Sequence, residues 1–222
     1  MNDRIDMEYD FAQFLIDWEV IIFGEFKLKS GRLSPYFFNF GKLSDAALLR
    51  QMAASYAKNI AHQALEFDVV FGPAYKGIPL AISTAIELST HSTKRVDYSF
   101  NRKEKKQYGE GGEIVGAELK GKNVIILDDV ITSGGTVSEA YDIVTRHGGN
   151  IVGYFFALDR QEQGLSTECS AIEECQKNYT FPFYSLTSIS KVLEYMHLAS
   201  DKRQEIAQVE AYLEKFGVCA SA

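Results

Sequence analysis

An α/β fold, with a central and mostly parallel sheet flanked by helices, is what the 222-residue sequence predicts. Three observations predict it. Short apolar runs recur at FDVVF (67–71), RVDYSF (95–100), NVIIL (123–127) and IVGYFFAL (151–158); segments of helical character separate them; and no repeat, low-complexity tract or Pro/Ser-rich linker divides the chain. Continuous apolar runs suit strands buried on both faces, and strands alternating with helices imply parallel pairing through right-handed crossovers. One domain is expected over 1–222, since a chain of this length falls where a single core suffices.

The elements follow in order. Phe11, Phe14, Leu15, Trp18, Ile21 and Ile22 recur at helical spacing and Gly24 follows, so an amphipathic helix is predicted to run to about residue 22. In EFKLKSGRLSPYFFNF (25–40), Phe26 and Leu28 alternate with polar residues, Ser30-Gly31 offers a turn and an aromatic run closes the segment, which predicts a hairpin. The alanine-rich stretch from Ser44 to about Leu65 predicts a helix capped by Ser44. After the four apolar runs the pattern weakens, and only SISKVLEYM (188–196) and DKRQEIAQVEAYLEKF (201–216) read as helical.

Composition narrows the function. Hydrophobic residues at 46% and charged residues at 24% are ordinary for a globular protein, and no apolar stretch approaches the roughly 18 residues of a membrane span. The segment MNDRIDMEYD has no signal-peptide core, so a cytoplasmic address is expected. Cys169, Cys175 and Cys219 lack metal-ligand spacing and are read as reduced thiols. A net charge of −7 argues against general nucleic-acid binding, and any anion site must be local. One dense basic cluster stands against this background: Arg102-Lys103-Glu104-Lys105-Lys106.

In open parallel sheets, ligands sit beyond the C-terminal ends of the strands. The NVIIL run leads into Asp128-Asp129, then Val130-Ile131-Thr132-Ser133-Gly134-Gly135-Thr136, then a helical pattern from Val137 to His147. Gly134 and Gly135 let the backbone turn N–H groups inward, Thr132, Ser133 and Thr136 add hydroxyls, and the following helix presents its positive end, a cradle for a phosphate monoester. Thr136 with Glu139 predicts a capping box there. The loop has no lysine and no G-x-G-x-x-G, so neither a Walker loop nor a dinucleotide fingerprint is present. Adjacent acids beside a phosphate suit ribose hydroxyls or a hydrated Mg²⁺, and the ligand class suggested is a ribose phosphate.

VIILDDVITSGGT (124–136) resembles the phosphoribosyl-pyrophosphate (PRPP) motif of type I phosphoribosyltransferases. Four further segments resemble the orotate branch of that family, so that the likeness runs from Lys29 to Arg160. In LKSGRLSPYFFNFG (28–41), Lys29 resembles the orotate-contacting lysine and Phe37-Phe38 the aromatic pair at the base, apt for a flat anionic pyrimidine. In GPAYKG (72–77), Tyr75 and Lys76 resemble pyrophosphate-loop residues. In LDRQEQG (158–164), Arg160 stands just past a strand, where its fork can grip a carboxylate. The run FNRKEKKQYGEGG (100–112) resembles the mobile catalytic loop, with Arg102, Lys103 and Lys106 as PRPP-contacting cations and Gly109, Gly111 and Gly112 as hinges. Tyr108 stands where the family usually has histidine, so a neutral phenol or neighbouring lysines must serve there.

The resemblance implies a type I phosphoribosyltransferase fold with a small N-terminal hood from the helix and hairpin at about 1–43. It also implies Mg²⁺-dependent reaction of PRPP with orotate, giving orotidine 5′-monophosphate and pyrophosphate on the path to UMP, by a homodimer whose 102–112 loop is donated to the partner subunit. PRPP contacts then fall to Tyr75, Lys76, Arg102, Lys103, Lys106, Tyr108 and the 128–136 segment, with Thr132 near the orotate ring. Lys106 is expected to carry the largest catalytic share, with Arg102, Asp128 and Asp129 beside it. Mg²⁺ is expected to be held by PRPP and by waters near the two aspartates, with no direct protein ligand. A transcription regulator on the same fold would need a basic DNA-binding extension, and the acidic, apolar N-terminal helix disfavours one. A purine phosphoribosyltransferase would share the PRPP motif but lack Lys29-Ser30-Gly31-Arg32 and the RKEKK run.

Overall fold

The computed structural model describes residues 2–28, 31–90, 95–106, 112–132, 134–164 and 169–218, and among them no helix is long and apolar enough to cross a membrane. A six-stranded sheet has the order β5-β4-β3-β6-β7-β8: β3 is Val69–Gly72, β4 Asp97–Lys106, β5 Gly112–Gly116, β6 Asn123–Val130, β7 Asn150–Asp159 and β8 Phe183–Ser188. All neighbours pair parallel except β5, which runs antiparallel to β4 at one edge.

The runs are rich in apolar residues because the central strands face a core on either side. Along β6, Ile125 and Leu127 join one cluster while Val124 and Ile126 join the other, the two-residue alternation of a strand. The first cluster is closed by helices α1 (Asn2–Asp17), α2 (Ala46–His62), α3 (Gly77–Thr90), α6 (Ile189–Ala199) and α7 (Arg203–Phe216). The second is closed by α4 (Gly135–Arg146) and α5 (Ala171–Asn178). A separate antiparallel hairpin of β1 (Ile21–Lys27) and β2 (Leu33–Phe38) contributes Tyr36 and Phe38 to the first cluster.

Local sequence chemistry explains most boundaries, and four expectations are corrected. The first helix stops at Asp17, and Ile21 and Ile22 instead open β1 opposite Phe38 and Phe37; Glu19 makes the turn at φ +52. Gly24, expected as a helix stop, sits at φ +154 where the hairpin register shifts between Phe23 and Phe26, so it serves a bulge. The cap of α2 is Asp45 rather than Ser44, with its carboxylate accepting from the backbone N–H groups of Ala47 and Leu48 at 2.8 and 3.2 Å. The box expected at Thr136 and Glu139 is absent: α4 is capped by Gly134 in the left-handed conformation, and Glu139 is bound to Lys103. A capping box does form at α5, between Ser170 and Glu173.

The four runs all become strands: β3 starts at Val69 and β4 at Asp97, inside their runs, while β6 and β7 extend past theirs. β6 extends through the acidic pair, and β4 carries the basic residues 102–106 as strand, with Lys106 paired to Gly112 of β5. β5, α5 and β8 have no counterpart in the sequence reading.

Candidate active site

Since β4, β3, β6 and β7 lie side by side and parallel, their C-terminal ends share one rim of the sheet. That rim carries the basic residues of β4, the 72–77 turn, the 128–136 segment and Arg160, the segments singled out by their chemistry.

Asp128 and Asp129 are both buried, and strand alternation turns them to opposite faces. Asp128 faces the α4 side, where Tyr154 of β7 donates to its Oδ2 at 2.8 Å and the N–H of Asp129 donates to its Oδ1 at 2.9 Å. The Tyr56 hydroxyl of α2 donates to its main-chain oxygen at 2.6 Å. Burial first, and the Asp129 charge second, push the Asp128 carboxyl up to about 7. Burial also raises the phenols of Tyr56 and Tyr154 well above the ordinary tyrosine value, so both stay hydrogen-bond donors. Asp129 instead takes the Lys76 ammonium on its Oδ2 at 2.5 Å.

Beyond β6 the chain is anchored by Ile131, buried in the second cluster, while Thr132, Gly135 and Thr136 are exposed. Val130 packs against the first cluster. Gly134 adopts φ +72, ψ −4, a conformation that suits glycine, and no side-chain hydrogen bond caps α4 there. Among the described residues, no side chain meets the first-turn N–H groups of α4, which lie at the rim. Cys175 of α5 lies beneath, its Sγ 3.4 Å from where a Cβ on Gly134 would be. Ser133 lies outside the described residues.

The 72–77 turn folds on itself: a Cβ on Gly72 would lie 2.0 Å from the Gly77 carbonyl oxygen, and one on Gly77 would lie 2.6 Å from Pro73. Only glycine permits so close a backbone approach. The Ala74–Tyr75 peptide is cis, and Asn101 of β4 holds the Ala74 N–H at 2.8 Å. Tyr75 is 71% exposed at the tip, and Lys76 reaches back to Asp129 over the Phe40 ring. On β4, Arg102 donates to the Gly112 carbonyl at 3.1 Å, and Lys103 crosses to Glu139 of α4 at 2.7 Å. The Lys106 side chain and all of Tyr108, Gly109 and Gly111 lie outside the described residues.

Arg160 is held in a buried network. Its Nε and Nη2 donate to Glu162 Oε1 at 3.0 and 2.6 Å, Nη2 also reaches Ser34 Oγ at 3.1 Å, and its guanidinium lies 4.4 Å from the centre of the Tyr36 ring. Burial alone would lower its pKa, but Tyr36 and Glu162 more than offset that and hold it above the ordinary arginine value. The Nε–Nη2 side of the fork is thus taken, and a carboxylate ligand must approach the edge that includes Nη1. Phe37 and Phe38 divide: Phe38 is in the core, whereas Phe37 is 41% exposed and packs on Phe26 at 5.5 Å. Lys29 lies outside the described residues. Tyr56, Tyr154, Glu162 and Tyr36 are partners the sequence reading missed. The parity of β7 puts Tyr154 beside Asp128, and that follows only from the strand register, with Asp128 opposite Phe156.

A family model described as a phosphoribosyl transferase domain matches residues 41–183, and the chain belongs to the phosphoribosyltransferase family. The orotate phosphoribosyltransferase of Pseudoalteromonas translucida (strain TAC 125) is 44% identical over 213 residues, covering 96% of this chain and 99% of that one. That of Pseudomonas fluorescens (strain Pf0-1) is 47% identical over 210 residues, covering 94% and 97%. Among solved structures, the orotate phosphoribosyltransferase of Francisella tularensis matches with a TM-score of 0.82 at 35% identity, over 94% of this chain and 99% of that chain. Within the family, the chain belongs to the orotate phosphoribosyltransferases, enzymes of pyrimidine biosynthesis.

Proposed function

We propose that this chain transfers ribose 5-phosphate from PRPP to orotate in a Mg²⁺-dependent reaction, releasing pyrophosphate and orotidine 5′-monophosphate. The observation that carries the reading is the single rim on which an α4 N-terminus capped by glycine, with no side-chain cap among the described residues, the Asp128-Asp129 pair and Lys76 meet. The phosphate of the ribose sits on the α4 N-terminus, its hydroxyls on the aspartates, and the pyrophosphate at Tyr75, Lys76, Arg102, Lys103 and Lys106. Charge develops on the leaving pyrophosphate as the C1–O bond breaks, and preorganised cations stabilise it most where water is excluded. Orotate lies between Phe37, Thr132 and Arg160, with Lys29 at its carboxylate.

Mg²⁺ fits the donor chemistry here, because two buried-edge carboxylates are hard oxygen donors that suit a hydrated ion. When bound, the ion neutralises pyrophosphate charge. Asp128 and Asp129 would hold its waters, and Lys76 would supply the neighbouring positive charge.

The reading includes a homodimer in which the 102–112 loop is donated to the partner subunit, supported by the position of β4 and β5 at the edge of the sheet. A cytoplasmic address belongs to the same reading, in keeping with cysteines whose spacing in the sequence reads as that of reduced thiols. The direct test follows loss of orotate absorbance with purified protein, PRPP and Mg²⁺, against uracil, adenine and hypoxanthine. Turnover of orotate alone, abolished by a chelator and restored by Mg²⁺, is expected. Turnover of a purine in preference to orotate overturns the reading.

A further inference from the structure

The C-terminal helix reaches the rim through one carboxylate. Tyr212 of α7 donates to Oε2 of Glu162 at 3.0 Å, while Oε1 accepts from the Tyr36 hydroxyl at 2.7 Å and from Arg160. The side chains of Arg160 and Glu162 are only 8% and 10% exposed. Arg32 fastens the same segment from the hairpin, donating to the carbonyls of Gln163 and Gly164 at 2.6 and 2.8 Å. Every donor to Glu162 comes from a different element: β2, the end of β7 and α7.

An arginine side chain has several rotatable bonds, and its planar fork grips a carboxylate only when that plane is fixed. Glu162 engages one edge of the Arg160 fork, and Tyr36 lies against its face. The remaining edge, including Nη1, is turned away from Glu162. The phenols that complete the network stay protonated: burial lifts Tyr36 well above the ordinary tyrosine value, and burial with the Glu162 charge lifts Tyr212 to about 12.

We propose that Glu162 is the positioning residue of the orotate subsite, its buried carboxylate fixing the plane of the Arg160 guanidinium and tying that plane to Tyr36 of the hairpin and Tyr212 of α7. This rests on the reading that Arg160 contacts orotate. Glu162 touches no reacting atom; it holds the group that does, so that the fork does not have to be ordered when substrate arrives. It also balances the arginine charge in the free enzyme, which a buried cation requires.

The test compares KM for orotate, KM for PRPP and kcat in the wild type, Glu162→Gln, Tyr212→Phe and Arg160→Ala. Glu162→Gln is expected to raise the orotate KM by about tenfold, the loss of one charge-assisted hydrogen bond, with the PRPP KM changed by less than about twofold. Tyr212→Phe, which removes one hydroxyl and no charge, is expected to raise the orotate KM by about threefold. A merely structural role would move both KM values together, and that result overturns the proposal. If Glu162→Gln does not fold, Tyr212→Phe decides: an unchanged orotate KM overturns it. Arg160→Ala separates the two claims. An unchanged orotate KM in Arg160→Ala removes Arg160 from the subsite and the proposal with it, whereas a raised value there beside unchanged values in the other two variants removes Glu162 alone.

Discussion

Tyr154→Phe deletes a single oxygen from the interior and should produce a loss of stability that grows with pH. The ring stays, packed on Phe183 at 5.4 Å, but Asp128 Oδ2 loses the hydroxyl that donates to it at 2.8 Å. Asp128 is protonated more readily when folded than when unfolded, its carboxyl being raised from 3.8 to about 7. The stability from that retained proton is fully present below the unfolded value and is lost as pH rises through the folded one. The Tyr154 hydroxyl opposes the shift by favouring the carboxylate, so its removal raises the folded pKa further. At pH ~5 the acid is neutral and the lost bond is worth about 1 kcal/mol; at pH ~8 it is charged and the loss is about 1.5–3 kcal/mol. For a chain of this size that is a fall in Tm of roughly 2–4 °C at the lower pH and roughly 3–12 °C at the higher. Calorimetry of both proteins at the two pH values and one protein concentration measures it. An equal fall at both, or a larger one in acid, would refute the assignment of the bond to an ionising Asp128.

Two further outcomes are expected. Gly134→Val should leave a folded protein without PRPP-dependent activity: the left-handed backbone costs about 1–2 kcal/mol, within the 5–15 kcal/mol of a typical domain, while a branched side chain whose Cβ would lie 3.4 Å from Cys175 Sγ shifts the loop that shapes the cradle. Circular dichroism and turnover of the purified variant decide it, and normal activity in a folded protein removes the cradle assignment. Mixing inactive Lys106→Ala with inactive Asp129→Asn under subunit exchange should restore roughly a quarter of wild-type activity, since random pairing makes half the dimers hybrids with one intact site each. Background activity despite exchange proven by a mass label means that the loop serves its own subunit.

The parallel sheet was legible because its central strands are buried on both faces, which leaves apolar runs such as NVIIL at 123–127. The same reasoning explains the misses. β5 (GEIVG) is an edge strand whose side chains are half buried or exposed, and β8 (FYSLTS) mixes polar residues into a strand flanked by only one neighbour. Ile21 and Ile22 fit the helical period of α1 by position, and only their pairing with Phe38 and Phe37 makes them strand. At the site, the PRPP-like segment was readable because backbone requirements are written as glycines. The Glu162 network was not, because Tyr36, Arg160 and Tyr212 are far apart in sequence and single polar residues among apolar ones carry no periodic signal.

The acidic pair shows how the rim tolerates two carboxylates beside a phosphate site. On a strand, neighbours point to opposite faces, so Asp128 is satisfied from the α4 side by Tyr154 and Asp129 from the other side by Lys76. The two partners differ in kind. A neutral phenol leaves Asp128 free to hold or release a proton, whereas an ammonium ion cancels the charge of Asp129. On the proposed reading, Lys76 is also a pyrophosphate ligand, and the side chain is 54% exposed and able to turn. Binding then exchanges one anionic partner of Lys76 for another and frees Asp129 for the ribose hydroxyls or hydrated metal. The released carboxylate is buried, so a new partner has to meet it in the same step, because an unpaired buried charge is costly. A site built this way keeps Asp129 paired in the free enzyme and makes its release conditional on the arrival of the substrate's own negative charge.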